Sequence, residues 1–203
     1  QRPDVNAELK VLTRLPVVLA LLTTVMSAGA MFTLYTYIAP SLHHITHATL
    51  TVITFMLVLI GIGFSIGNHL GGKFADLSVT KTLVGFLVVL MVMMLLFPIL
   101  AKTTIGAGIA LIIWGTAAFA VVPPLQMRVM SVAHEAPGLA SSVNIGAFNL
   151  GNALGAAAGG AVLSMKMSYA TVSITGAVLT ALGLILVFIQ MKMSKKSVQQ
   201  FSH

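Results

Sequence analysis

Few residues in this chain have the types and spacing for chemistry, and those few point away from catalysis. His43, His44 and His47 stand at relative spacings of one, three and four. On a helix, two such imidazoles can face one metal ion. No carboxylate lies beside them and the chain has no cysteine. The reading is therefore a solvated loop with no metal site, and the missing thiols also exclude disulfides. No G-x-S-x-G motif, no paired carboxylates within an apolar stretch and no histidine at the centre of one is found, so the chain does not read as an enzyme and calls for no cofactor. The polar chemistry left in apolar surroundings is amide chemistry. Asn144, Asn149 and Asn152 fall in one apolar run, and carboxamides are costly in hydrocarbon unless they meet protein or water.

The elements that position these groups follow from composition. Of the residues, 58% are hydrophobic and 7% charged, with a mean hydropathy of +1.02. A soluble surface needs about a quarter of residues charged, so lipid is the expected solvent. Six stretches approach the roughly 20 apolar residues that cross a bilayer. They are Pro16–Ala39, Leu50–Ile66 (extended towards Leu70), Thr82–Ala101, Thr103–Met127, Leu139–Met165 and Met167–Met191. Backbone in lipid must satisfy its own hydrogen bonds and the runs are continuous, so the expected fold is an all-α membrane protein, a six-transmembrane-helix bundle. Residues 1–14 read as a solvated linker, 15–191 as the membrane domain and 192–203 as a tail. Pro16 and Pro137 suit first turns, and Thr80 and Ser168 suit N-caps. The turn at Lys166–Ser168 is so short that the last two helices are expected to be antiparallel neighbours.

Charge orients the bundle. Arg2, Lys10, Arg14, Lys73, Lys81, Arg128, Lys192, Lys195 and Lys196 fall on one side, and only Lys102 and Lys166 on the other. This bias puts both termini in the cytoplasm. The basic residues are interspersed between apolar runs and form no shared patch, which argues against nucleic acid. No Asp, Glu, Lys or Arg lies within the six stretches as drawn. A proton-coupled transporter keeps an ionisable group in the membrane, so a coupling group is expected outside this chain.

In the fifth stretch Ala147, Gly151, Gly155 and Gly159 recur every four residues. Such a stripe lets a second helix backbone approach closely. Asn144 and Asn152 lie about 80° apart around a helix, with Asn149 turned further away. They line a polar cavity or bond between helices. Pro123-Pro124 mark a kink or an end of the fourth helix. Trp114 lies near mid-membrane, either as an aromatic wall or as a packed core residue.

After the second stretch comes Gly72-Lys73-Phe74-Ala75-Asp76, with Lys81 beyond. Two glycines, Gly71 and Gly72, permit a tight turn. The segment resembles the G-x-L-A-D loop of the major facilitator superfamily, with Phe74 in place of leucine and with Leu77, Val79 and Thr80 departing from the pattern. The run Ala136–Gly155, the preceding Val121–Arg128 and Met31–Ile38 are similar to the arabinose-efflux permeases of the drug:proton antiporter branch. That resemblance implies family helices seven to twelve, the C-terminal half of a twelve-helix transporter of the bacterial inner membrane. It implies an N-terminal six-helix half as partner, a small-molecule substrate such as a drug or sugar, and a proton as coupling ion. It also implies a latch of Gly72, Asp76 and Arg128 closing the cytoplasmic side. Tyr35, Trp114, Asn144, Phe148 and Asn152 are the substrate-site candidates, and Gly151, Gly155 and Gly159 the packing residues. Helix count alone also allows a channel or a structural subunit, although no re-entrant loop offers a selectivity filter.

Overall fold

The computed structural model describes residues 5–200, and nearly all of them are helical. In chain order the helices are α1 (Val5–Leu12), α2 (Leu15–Tyr35), α3 (Ile38–Ser41), α4 (Leu50–Leu77), α5 (Val79–Leu100), α6 (Thr104–Ala120), α7 (Val122–Val132), α8 (Pro137–Ser164) and α9 (Tyr169–Gln200), with a π turn at Leu42–Thr46 after α3. Five stretches are long and apolar enough to cross a membrane: α2, α4, α5, α6 with α7, and α9. At 28 residues α8 is as long as α4. Its asparagines, serines and glycines lower its apolar character, and its buried face is a narrow stripe of Ala140, Asn144, Gly151, Gly155, Gly159 and Val162.

Two parallel helix pairs form the frame. Gly151 and Gly155 of α8 meet the backbone of α2. A Cβ at Gly151 would stand 2.5 Å from the Val25 carbonyl oxygen, and one at Gly155 would overlap that of Gly29. Gly159 lies against Tyr37, and Thr33 Oγ1 donates to the Gly155 carbonyl at 3.1 Å. The second pair, α4 with α6, has the same construction. A Cβ at Gly63 would come within 2.7 Å of the Ile112 carbonyl oxygen, and Gly67 and Gly71 press equally hard on Thr116 and Ala120. In lipid no hydrophobic force draws helices together, so this backbone contact carries the association. Antiparallel α5 and α9 fill the remaining side, α9 lying mainly on α2 and α5. The main core runs from Met31 and Leu34 through Leu87, Met94 and Phe97 to Leu111 and Trp114.

Several expectations change. Residues 5–12 are not a plain linker but the helix α1, whose Val11 is buried with Val17, Val129 and Ala140. The first stretch stops at Tyr35, and the expected outer loop is largely α3 and the π turn, with Ile38, Ser41 and Leu42 buried. Helix α4 continues through Gly71 and Gly72 to Leu77, so the expected glycine turn is helical and the chain reverses at Ser78 alone. Gly71 serves close packing instead. Ser78, rather than Thr80, caps α5 and accepts from Lys81 N–H at 3.3 Å. The fourth stretch breaks at Val121 ahead of Pro123 and restarts as α7. It therefore extends past Met127, and Arg128 lies inside a helix. Although α8 and α9 are joined by a short turn, with Lys166 in the left-handed region (φ 58°), α9 touches α8 far less than it touches α2 or α5. The tail expected from residue 192 continues α9 as helix. Arg2 and Asp4 lie outside the described residues.

Candidate functional site

The three asparagines of α8 have three different surroundings. Asn144 is 4% exposed. Its Oδ1 accepts from Thr24 Oγ1 at 2.7 Å, and its Nδ2 donates to Gln126 Oε1 at 2.6 Å. Gln126 Nε2 in turn donates to Ser141 Oγ. One amide thus joins α2, α7 and α8, and both ends of its side chain are satisfied. Of the two roles left open for Asn144, the structure places it in the link between helices and not at a free surface. Asn149 is exposed. Asn152 is half-buried, and its Oδ1 is inaccessible and without a partner. Of the two asparagines at least partly buried, it is the one whose side chain makes no hydrogen bond among the described residues.

Asn152 lies one turn beyond Phe148 on α8, and Phe148 opens a continuous row of rings. Phe148 meets Phe32 edge-on at 6.4 Å, and Phe32 meets Tyr35 at 5.7 Å. Tyr35 lies over Trp114 at 6.4 Å with an interplanar angle of 16°. Phe64 touches both Tyr35 (5.6 Å) and Trp114 (6.1 Å), and stacks on Phe119 at 4.0 Å. The row crosses α8, α2, α4 and α6. Phe32, Tyr35, Phe64, Phe119 and Phe148 are partly exposed, while Trp114 is 1% exposed. Trp114 is therefore the floor beneath Tyr35, packed rather than open, and its Nε1 has no partner. Sequence reasoning singled out Tyr35, Trp114, Phe148 and Asn152 and missed Phe32, Phe64 and Phe119. Phe32 and Tyr35 were three apart in the Met31–Ile38 run, a helical spacing that could have paired them.

The structure does not bring Asp76 and Arg128 together. Asp76 is exposed in the last turn of α4, beside Gly72, which packs on nothing. Arg128 is half-buried, and its Nε donates to Gln190 Oε1 at 2.8 Å. Gln190 Nε2 donates onward to the Pro16 carbonyl at 2.8 Å, tying α7 to α9 and α2. The one ion pair among the described residues is Arg14 with Glu135. At the opposite end His43 and His44 are exposed on the π turn, His47 is exposed just after it in the left-handed region (φ 55°), and His44 stacks on Tyr169 at 4.7 Å. They are exposed, but on and beside a helical turn and not in an open loop, and among the described residues no group of three or more potential metal ligands is assembled.

Two parallel close-packed helix pairs, a row of rings across four helices and one amide without a partner are the features that the structure brings together. A family model described as Major Facilitator Superfamily matches residues 2–156. The chain belongs to that family. It is 64% identical to the inner membrane transport protein YdhP of Escherichia coli K12, over 97% of this chain and 51% of that protein. It is 34% identical to the uncharacterized MFS-type transporter YfhI of Bacillus subtilis, over 88% of this chain and 45% of that protein. It is 30% identical to a probable sugar efflux transporter of Haemophilus influenzae, over 89% of this chain and 46% of that protein. The chain spans about half the length of the curated relatives it matches.

Proposed function

We propose that this chain is the C-terminal half of a proton-coupled exporter of small molecules in the bacterial inner membrane, with its basic end in the cytoplasm. The aromatic row and Asn152 form its side of the substrate cavity. The observation that carries the reading is the partly exposed row Phe148–Phe32–Tyr35–Phe64 ending beside an unpartnered amide. Rings offer dispersion and a flat contact for apolar or sugar-ring faces, and one amide fixes orientation, a combination usual in ligand pockets. Transport follows by alternating access, the two halves rocking about a midplane site. Among the described residues the carboxylates Glu8, Asp76 and Glu135 all lie at the basic end and not along the row, so we assign the coupling proton to a group in the N-terminal half.

The asparagines provide the test. Asn144→Ala removes a buried interhelical link and should lower thermal stability by about 1 kcal/mol. Asn152→Ala should leave stability almost unchanged and weaken substrate binding by about 1 kcal/mol, the scale of one lost hydrogen bond. Thermal unfolding and ligand binding measured on the same purified samples separate the two. If Asn152→Ala destabilises the fold as much as Asn144→Ala while binding per folded molecule holds, the pocket assignment is wrong.

A further inference from the structure

At the basic end, a groove of about 430 Å³ opens between α5, α7 and α9. None of the aromatic-row residues is among its lining. Its polar lining is Thr80 from α5, Arg128 and Ser131 from α7, and Gln190, Ser194 and Lys195 from α9. No carboxylate is among the lining residues. The first turn of α5 forms one wall, and it presents the positive end of a 22-residue helix dipole.

Arg128 is the reason this groove is more than a gap between helices. The guanidinium is half-buried, fixed at Nε by Gln190, and its Nη1 is inaccessible and without a partner. A cation partly removed from water is stabilised by a nearby counter-charge, and the Arg128 side chain lines the groove. Glu135, the acidic residue that follows α7, is already paired with Arg14, and Asp76 is exposed outside the groove. Among the described residues the protein thus supplies two cations, three hydroxyls and a helix N-terminus to one concavity, and no acidic residue lines it. Arginine and hydroxyl donors suit tetrahedral oxyanions.

We propose that this groove binds a phosphate group, that of an anionic phospholipid headgroup or of a soluble phosphate. The lipid source rests on the orientation given above, because anionic lipids are concentrated in the cytoplasmic leaflet and attract basic segments there. Lys192 and Lys196, exposed on the same stretch of α9, add to the local positive field. A bound phosphate would bridge α5, α7 and α9 and hold the basic end of this half together.

The test needs neither transport nor a known orientation, so it can fail independently of the exporter reading. The purified intact protein in neutral detergent is incubated with dioleoyl phosphatidylglycerol, with dioleoyl phosphatidylcholine or with inorganic phosphate. Retained lipid is read by native mass spectrometry, and stability by thermal shift. Phosphatidylglycerol should be retained at least about ten-fold more tightly than phosphatidylcholine, and Arg128→Gln and Lys195→Gln should each weaken it about ten-fold. Arg128→Gln also removes the bond to Gln190, so Ser131→Leu, which fills the groove and leaves that bond intact, should give the same loss. A thermal shift with inorganic phosphate alone identifies a soluble phosphate as the source. Equal retention of the two lipids with no shift in phosphate overturns the proposal. So does a loss from Lys196→Gln, outside the groove, as large as that from Lys195→Gln.

Discussion

Gly155→Leu should reduce folded protein in the membrane several-fold and destabilise what remains by at least about 3 kcal/mol. The Gly155 backbone rests on Gly29, so any side chain there must drive α8 away from α2. Separation would also stretch the Thr33 bond to the Gly155 carbonyl and the Thr24–Asn144 bond along the same seam. The same change at Gly146, on the same helix with open space around it, should be tolerated. Helix propensity and hydropathy change identically at the two sites, so the contrast isolates close packing. Fluorescence-detected size exclusion gives the folded yield, and equal losses at both positions would show that α8 is sensitive to bulk in general.

Tyr35→Ala should have the largest effect on ligand binding that leaves the fold intact. Tyr35 touches Phe32, Phe64 and Trp114 and is partly exposed, so its ring is the centre of the open aromatic surface. Central aromatic anchors cost about 2 kcal/mol or more on truncation, roughly thirty-fold in affinity. Tyr35→Phe keeps the ring and should lose little, because the Tyr35 hydroxyl makes no hydrogen bond among the described residues. Binding titrations on the three proteins check this. A Tyr35→Ala protein with unaltered affinity would place the substrate elsewhere.

Much of the bundle could be read from the chain because lipid imposes simple rules. Continuous apolar runs had to be helices, and glycines every fourth residue in α8 had to be a contact. Gly63, Gly67 and Gly71 carried the same signal for α4 and were passed over. The last of them was absorbed into a presumed loop, and the run's own contact with α6 was not legible from a motif. Elements at the membrane ends were least legible. Polar residues in α1 and three histidines after α3 look like solvated loop, yet Val11 and Leu42 are buried by helices distant in sequence. The short α8–α9 turn suggested neighbours, but the glycine face of α8 was already committed to α2, which left α9 to pack elsewhere. For the site, ring types could be counted but not placed. Trp114 is under Tyr35 rather than beside it, and Asn144 is consumed by Thr24 and Gln126, facts that depend on the rotation of each helix.

The claim that the aromatic row faces a water-filled cavity is testable directly in an intact protein freed of any cysteine outside this chain, which itself contributes none. Single cysteines are introduced at Tyr35, Phe148 and Asn152, and at Leu95 and Ile185, which are exposed on α5 and α9. Each is placed in the intact membrane protein and treated in native membranes with a membrane-impermeant maleimide. The account predicts labelling at Tyr35→Cys, Phe148→Cys and Asn152→Cys, reduced by transported substrate, and little at Leu95→Cys and Ile185→Cys, which face lipid. Labelling at the α5 and α9 positions, with the three row positions silent, would contradict it.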